Sequence, residues 1–172
     1  MKISIVVAIA ENNAIGRNNG LLCHLPADMK MFRELTTGHT VVMGRKTFES
    51  LPNGALPNRK NIVISRTLQP KEEGNLIICS SLEKAFELCQ NDDEVFVIGG
   101  AQVYNETMSK ADFLYITWIK NRFDDADTFF PEIDFGKWKE TSRKDFLADE
   151  KNVYDYSFMK YQNNANNANF RE

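Results

Sequence analysis

Residues 94–107 read EVFVIGGAQVYNET. A short unbroken apolar run ends in two glycines, and a segment with helical spacing follows. An apolar run without polar alternation marks a strand covered on both faces. A strand that turns through glycine into a helix is half of a βαβ unit, so this stretch points to a parallel sheet.

The same grammar extends in both directions. Residues 2–10, KISIVVAIA, read as a buried strand. Residues 26–36 form a helix opened by Pro26, where a missing N–H costs nothing, and closed near Gly38. TVVM at 40–43 is a short strand that runs into Gly44 and a short helix, RKTFESL. NIVIS at 61–65 and NLIIC at 75–79 are strands. Ser80 and Glu83 have the spacing of a capping box for a helix whose apolar face is Leu82, Ala85, Phe86 and Cys89. FLYITWI at 113–119 is another strand. Further on, WKETSRKDF and NVYDYSFMKYQ alternate, with Tyr154, Tyr156 and Phe158 on one face. The expected fold is a single α/β domain over residues 1–162. It has a mixed, mostly parallel central sheet of about eight strands, helices on both faces and a C-terminal antiparallel hairpin. Residues 163–172, NNANNANFRE, read as a low-complexity, flexible tail.

Composition narrows the function. The chain has 172 residues, 42% hydrophobic and 26% charged, with a formal net charge of −3. No basic block tracks a nucleic-acid backbone. No segment has the length of a membrane span. The opening MKISIVVAIA imitates a signal peptide, but its single Lys and its β-branched run suit a strand better, which puts the protein in the cytoplasm. Cys23, Cys79 and Cys89 have no CxxC spacing, so neither a metal site nor a disulfide framework is expected. Cys79 and Cys89 read as small core residues.

Two nucleotide motifs fail. Gly38 and Gly44 have the wrong separation for a P-loop, and strand lies between them. The dinucleotide fingerprint G-x-G-x-x-G is absent. Cys23 and His24 are adjacent in an extended loop and point to opposite sides, which argues against a thiol–imidazole pair. The Asn- and Gly-rich stretch Glu11–Cys23 is long for a connection and suits a functional loop.

Asp28 is harder to place. On the 26–36 helix it shares a stripe with Met31, Phe32 and Leu35, while Lys30, Arg33 and Glu34 fall opposite. One reading is a first-turn acid that complements the helix dipole, worth ~0.3–1 kcal/mol. The other is an inward-facing carboxylate awaiting a ligand with N–H donors, since an unpartnered buried charge is costly. Two junctions suit phosphates. Gly44-Arg45-Lys46-Thr47 joins a glycine, two cations and a hydroxyl at a helix start, and Gly99-Gly100-Ala101-Gln102 does so with glycines. Arg66 offers a third cation.

Taken in order, several pieces resemble one family. They include Ala14-Ile15-Gly16, Leu25-Pro26-Ala27-Asp28, Phe32, Val42-Met43-Gly44-Arg45, Thr47 and Glu49-Ser50. Leu56-Pro57-Asn58-Arg59-Lys60-Asn61, Val97-Ile98-Gly99-Gly100, Val103-Tyr104, Tyr115-Ile116-Thr117, Asp127-Thr128 and Phe130-Pro131 continue the pattern. Together the chain resembles the bacterial, monofunctional dihydrofolate reductases from near residue 3 to about 161.

The resemblance implies reduction of 7,8-dihydrofolate to tetrahydrofolate by NADPH, in a cytoplasmic monomer that also binds antifolates. It implies that Asp28 binds the pterin and assists protonation at N5, with Thr117 in the same network and Leu21 on the catalytic loop. Val6, Val7, Met29, Phe32, Leu51, Leu56, Ile98 and Tyr104 would line the substrate pocket, and Arg59 would pair with the glutamate carboxylate. NADPH would lie along Ala8, Ile15, Gly16, Gly20, Leu21, Gly44, Arg45, Lys46, Thr47, Ser65 and Arg66. It would continue over Ile98 and the 99–104 turn, meaning Gly99, Gly100, Ala101, Gln102, Val103 and Tyr104. The family bends Gly99-Gly100 through a cis peptide.

Three positions depart from the family's pattern. Cys23 stands where a Trp is usual, Gln102 where some members use Arg toward the 2′-phosphate, and Lys46 where His is common. Two other functions stay open: a pyrimidine reductase of riboflavin synthesis, and a non-catalytic folate- or nucleotide-binding protein.

Overall fold

The computed structural model describes residues 1–164. Its hub is strand β1 (Lys2–Ala10), and the apolar run has the predicted effect of burying it on both faces. Ile5, Val7 and Ile9 point into one core cluster and Val6 into another. The remaining elements are β2 (Ala14–Gly16), α1 (Pro26–Thr36), β3 (Thr40–Gly44), α2 (Arg45–Ser50), β4 (Lys60–Ile64), β5 (Lys71–Glu73) and β6 (Leu76–Cys79). They continue with α3 (Leu82–Leu88), β7 (Glu94–Val97), α4 (Ala101–Thr107), β8 (Phe113–Ile119), β9 (Thr128–Phe129), β10 (Trp138–Phe146) and β11 (Tyr156–Asn163).

The main sheet runs β10-β11-β8-β1-β7-β3-β4-β6-β5. From β8 to β6 every pairing is parallel. β11 and β10 join one edge antiparallel, as the alternating C-terminal pattern requires, and β5 joins the other. Helices α3 and α4 cover the face of Ile5 and Val7, and α1 and α2 the face of Val41, Met43 and Phe96.

Four details differ from the sequence reading. The sheet has nine strands, because the exposed Lys71-Glu72-Glu73 pairs with β6. Such a strand has no apolar pattern to betray it; its charges suit an exposed edge. β2 and β9 form a separate two-stranded sheet, so the Glu11–Cys23 segment is partly a strand. The cap of α3 is Ser81, not Ser80: its Oγ accepts from the Lys84 N–H at 3.1 Å. That one-residue shift removes Glu83 from the capping-box position, while Leu82, Ala85 and Cys89 of the predicted apolar face are buried. Finally, β11 continues through Asn163, whose amide donates to the Ala111 carbonyl at 3.1 Å. The rest of the predicted tail, from residue 165, lies outside the described residues.

The register shows how the sheet makes room for a site. β1 pairs with β7 only as far as Ile5↔Val97, but with β8 as far as Ala10↔Ile119. Past Val97 the chain stays with β3 instead: the Ile98 N–H donates to Val42 O at 2.9 Å, and the Gly44 N–H to Gly99 O at 2.8 Å. β1 and β7 therefore part at their carboxyl ends, the usual place for a ligand crevice in an open α/β sheet.

Phe96 is 1% exposed in the centre of the sheet and contacts the rings of His39 and Tyr115. Phe96→Ala is expected to lower unfolding free energy by about 3–5 kcal/mol, read as a reduced urea midpoint with the slope unchanged.

Candidate active site

The parted strands open into a cleft of about 430 Å³. Val6, Val7 and Ala8 of β1 form its floor where their β7 partners are missing. The Tyr104 hydroxyl donates to the Val6 carbonyl at 2.8 Å, filling the first place beyond the last β1–β7 pair. Helix α1 forms one wall with Asp28, Met29 and Phe32. The opposite wall is Thr47, Ser50, Ile98, Gly99, Gly100, Ala101 and Tyr104.

Asp28 does face inward. Its Oδ1 accepts from the Thr117 hydroxyl at 2.5 Å, and Thr117 is fully buried on β8 behind it. Among the described residues no cation pairs with Asp28. Burial pushes its carboxyl pKa above the ordinary range, and the Thr117 hydrogen bond opposes part of that rise. Of the two readings, the inward-facing acid describes the geometry.

Cys23 lies half-buried on the cleft wall, packed near Leu22 and Leu25, and His24 is exposed. Burial first, then the charge of Asp28, raises the Cys23 thiol, with Arg17 opposing. A thiol held protonated is a poor nucleophile. The Tyr104 hydroxyl is pushed up by burial and by Asp28, so it remains a donor.

The Glu11–Cys23 segment covers the mouth. The Asp127 carboxylate accepts from the Asn18 N–H at 2.8 Å, and Arg17 pairs with Asp125 at 2.5 Å. Asn19 reaches across to donate to the Lys46 carbonyl at 3.2 Å. Ile15, Gly16, Gly20 and Leu21 line the cleft from this loop, with Leu21 69% exposed at its lip. Gly16 is obligatory there: a Cβ would lie 2.9 Å from the Gly20 carbonyl oxygen.

The phosphate-type junctions stand side by side. Gly44 and Gly100 occupy the N-cap positions of α2 and α4, and neither helix has a side-chain cap. The Gly99–Gly100 peptide is cis, as the resemblance implied. Gly99 has φ +126°, and a Cβ on it would crowd the Tyr104 hydroxyl at 3.3 Å and Thr47 Oγ1 at 3.4 Å. At Gly44 a Cβ would meet Val103 Cγ2 at 3.2 Å. Side chains are excluded beside Thr47 at the starts of α2 and α4, which fits the approach of a phosphate-bearing cofactor.

Several predicted site residues do not reach the cleft wall. Leu51 and Leu56 are partly buried in the α1–α2 core cluster. Arg59 is 8% exposed, donating to the Pro57 carbonyl at 2.9 Å and Thr36 Oγ1 at 3.1 Å. Burial and the neighbouring Arg33 lower its pKa, and no carboxylate pairs with it among the described residues. Arg45 is engaged with Glu49 at 2.7 Å. Ser65 Oγ accepts from the Thr67 and Leu68 N–H groups, closing the turn after β4. Arg66, Lys46 and Gln102 are exposed, and Val103 is buried against Gly44. Conversely, Arg17, Asn19, Ser50 and Thr128 line the cleft without having been named as site residues. The Asn-Asn pair at 18–19, both at positive φ, was the available signal for the loop turn.

A cleft at a sheet switch point, with one half-buried acid and a wall of glycine-opened helix starts, is the plan of a nicotinamide-dependent reductase. The sequence matches the dihydrofolate reductase family profile over residues 2–163. It is 44% identical to the Bacillus subtilis dihydrofolate reductase, covering 93% of this chain and 94% of that one. Identity to the Haemophilus influenzae dihydrofolate reductase is 43%, covering 92% and 97%. The fold superposes on the Enterococcus faecalis dihydrofolate reductase complexed with NADP(H) and RAB-propyl with a TM-score of 0.85, at 35% identity, covering 95% and 96%. The chain belongs to the dihydrofolate reductase family, and its reaction is the NADPH-dependent reduction of 7,8-dihydrofolate to tetrahydrofolate. Among the described residues no helix is long and apolar enough to cross a membrane.

The raised Asp28 pKa has a consequence for the ligand-free protein. In the unfolded chain the carboxyl ionises in its ordinary range; in the fold it holds its proton to higher pH. Asp28 therefore subtracts stability as pH rises from the unfolded pKa through the folded one, and subtracts nothing below both. Asp28→Asn, which keeps an acceptor for Thr117, is expected to raise the melting temperature at about pH 7 and to leave it unchanged at about pH 3. Thermal melts without ligand check this.

Proposed function

We propose that Asp28 is the group through which this cleft recognises and helps protonate the pterin. The observation that carries the reading is a half-buried, desolvated carboxylate on the cleft wall, with one oxygen fixed by the buried Thr117 and no cation beside it among the described residues. A ring amine and ring N–H supply the donors that the isolated protein lacks. The raised pKa of Asp28 favours the protonated form relative to an ordinary carboxyl, which suits a group that aids proton delivery to N5.

NADPH, held along Gly44–Thr47 and the 99–104 turn, supplies the hydride. Arg45, Lys46 and Arg66 contribute its positive surroundings, with Ser65 and Gln102 at the margin. Val6, Val7, Ala8 and Ile98 keep water from the reacting rings, and Leu21 closes over them with the loop. Met29, Phe32, Leu51 and Leu56 flank the substrate. Arg59, desolvated and lacking an acid partner, takes the glutamate carboxylate, on the Thr36 side of α1. The same carboxylate at Asp28 attracts protonated diaminopyrimidine antifolates.

The protein acts as a cytoplasmic monomer in this reading. Its free thiols accord with a reducing compartment. The outer strand β10 carries exposed Lys139, Glu140, Arg143, Lys144 and Asp145, and such an edge resists pairing with another chain.

Following the loss of NADPH absorbance with dihydrofolate tests the central role. Asp28→Asn is expected to cut turnover by about 10²-fold or more near neutral pH and to weaken a diaminopyrimidine while sparing NADPH affinity. Full activity in that variant overturns the assignment. Cys23→Ser is expected to keep turnover and ligand affinities close to wild type, because its thiol packs rather than reacts. Turnover abolished with binding intact would show a chemical role instead.

A further inference from the structure

We infer that Asn152, on the loop between β10 and β11, is a positioning residue for Asp28: it caps the helix that carries the carboxylate. The inference rests on the reading of Asp28 given above.

A helix leaves its first N–H groups without partners inside the helix. In α1 Pro26 has none to satisfy, and the Asp28 and Met29 N–H groups donate to the Leu25 carbonyl at 3.0 and 3.1 Å. That leaves the Ala27 N–H. The N-cap residue, Leu25, has no side-chain oxygen, and is instead buried in the cluster with Leu22, Phe123 and Tyr156. The missing acceptor comes from far along the chain: Asn152 Oδ1 accepts from the Ala27 N–H at 3.0 Å.

The amide of Asn152 can face only one way. Its Nδ2 lies 3.2 and 3.4 Å from the two oxygens of Asp149, and its own backbone N–H donates to Asp149 Oδ1 at 2.6 Å. The Lys151 N–H donates to the same oxygen at 2.9 Å, and the Asp149 N–H returns a bond to the Asn152 carbonyl at 2.8 Å. With the amide nitrogen on a carboxylate, the amide oxygen must point to Ala27. Asn152 is buried, and its loop is anchored by the Tyr154 ring against Phe123 and by Tyr156 in the Leu25 cluster. Asp149 thus orients Asn152, Asn152 fixes the first turn of α1, and that turn presents Asp28 to Thr117.

A helix cap alone would support stability without touching ligand choice. Position is what separates the two cases, since Ala27 and Asp28 are neighbours in one turn. Asn152→Ala is expected to weaken a 2,4-diaminopyrimidine by about five- to tenfold and to lower kcat comparably, with the NADPH dissociation constant unchanged. The exchanged pair Asp149→Asn with Asn152→Asp rebuilds both the acceptor at Ala27 and the amide–carboxylate contact, and is expected to restore both properties. If Asn152→Ala does not fold, Asn152→Ser removes the reach to Ala27 and gives the same comparison. Wild-type kcat and diaminopyrimidine affinity in the single variant overturn the inference. So does a parallel loss of NADPH affinity, or failure of the exchanged pair to restore function in a folded protein. Asp28→Asn measured alongside keeps the two ideas apart: full turnover there sinks the role of Asp28, whereas a normal Asn152 variant beside a crippled Asp28 variant sinks only the positioning claim.

Discussion

The structure depends on where two neighbouring parallel strands stop pairing. β1 and β7 share hydrogen bonds to Ile5↔Val97 and no further, while β1 continues along β8 to Ala10. Had they stayed paired, Val6–Ala8 would be ordinary core. Because they part, three apolar residues become the floor of a cleft. Backbone groups buried away from water need partners, and the Tyr104 hydroxyl takes the Val6 carbonyl at the point of parting. The cis Gly99–Gly100 turn lies on the other bank, where the chain leaves β7 along β3 and enters α4.

A crevice formed in this way has polar needs of its own. Asp28 enters it as an acid with one hydrogen bond, from a threonine on β8. That strand is β1's continuing partner, with Thr117 opposite Ala8. The acid and the floor are therefore referenced to the same pair of strands. Pre-set donors and acceptors need not reorganise when a ligand arrives, which is where such sites gain most. The cost is a desolvated carboxylate in the ligand-free protein, visible as the raised pKa.

The long elements were legible because their apolar runs have one explanation. β1, β3 and β7 are buried on both faces, the pattern of a sheet interior, and β8 is buried on one face and half-buried on much of the other. Asp28 was legible for the converse reason: a charge on an apolar stripe contradicts its surroundings. The three short strands β2, β5 and β9 were not, since two or three residues carry no period and their pairing is set by distant partners. Ser81 was missed by one position because two serines stood together, and only the Lys84 N–H bond to the Ser81 hydroxyl decides between them. The contacts of Arg59 to Pro57 and Thr36 were not legible either, since they depend on how the segment before β4 meets the end of α1. Asn152 gave no signal at all: a cap supplied from 125 residues away has no local sequence pattern.

Helix α1 joins these observations. Its start is held by Asn152 and its end by Thr36, whose hydroxyl accepts from Arg59 while donating to the Phe32 carbonyl at 2.8 Å. The turn beyond is fixed by the Gly38 N–H, which donates to the Asn58 carbonyl at 2.8 Å, and by φ +85° at that glycine. Asp28 and Thr36 lie eight residues apart on one rigid element, a rise of about 12 Å. A half-buried acid lies on the first turn of α1, and a desolvated cation from the segment before β4 sits against its last. Among the described residues neither group has a counter-ion. Asp28 is fixed by the helix backbone and Arg59 by its bond to Thr36 at the end of the same helix, so one element relates the positions of both groups.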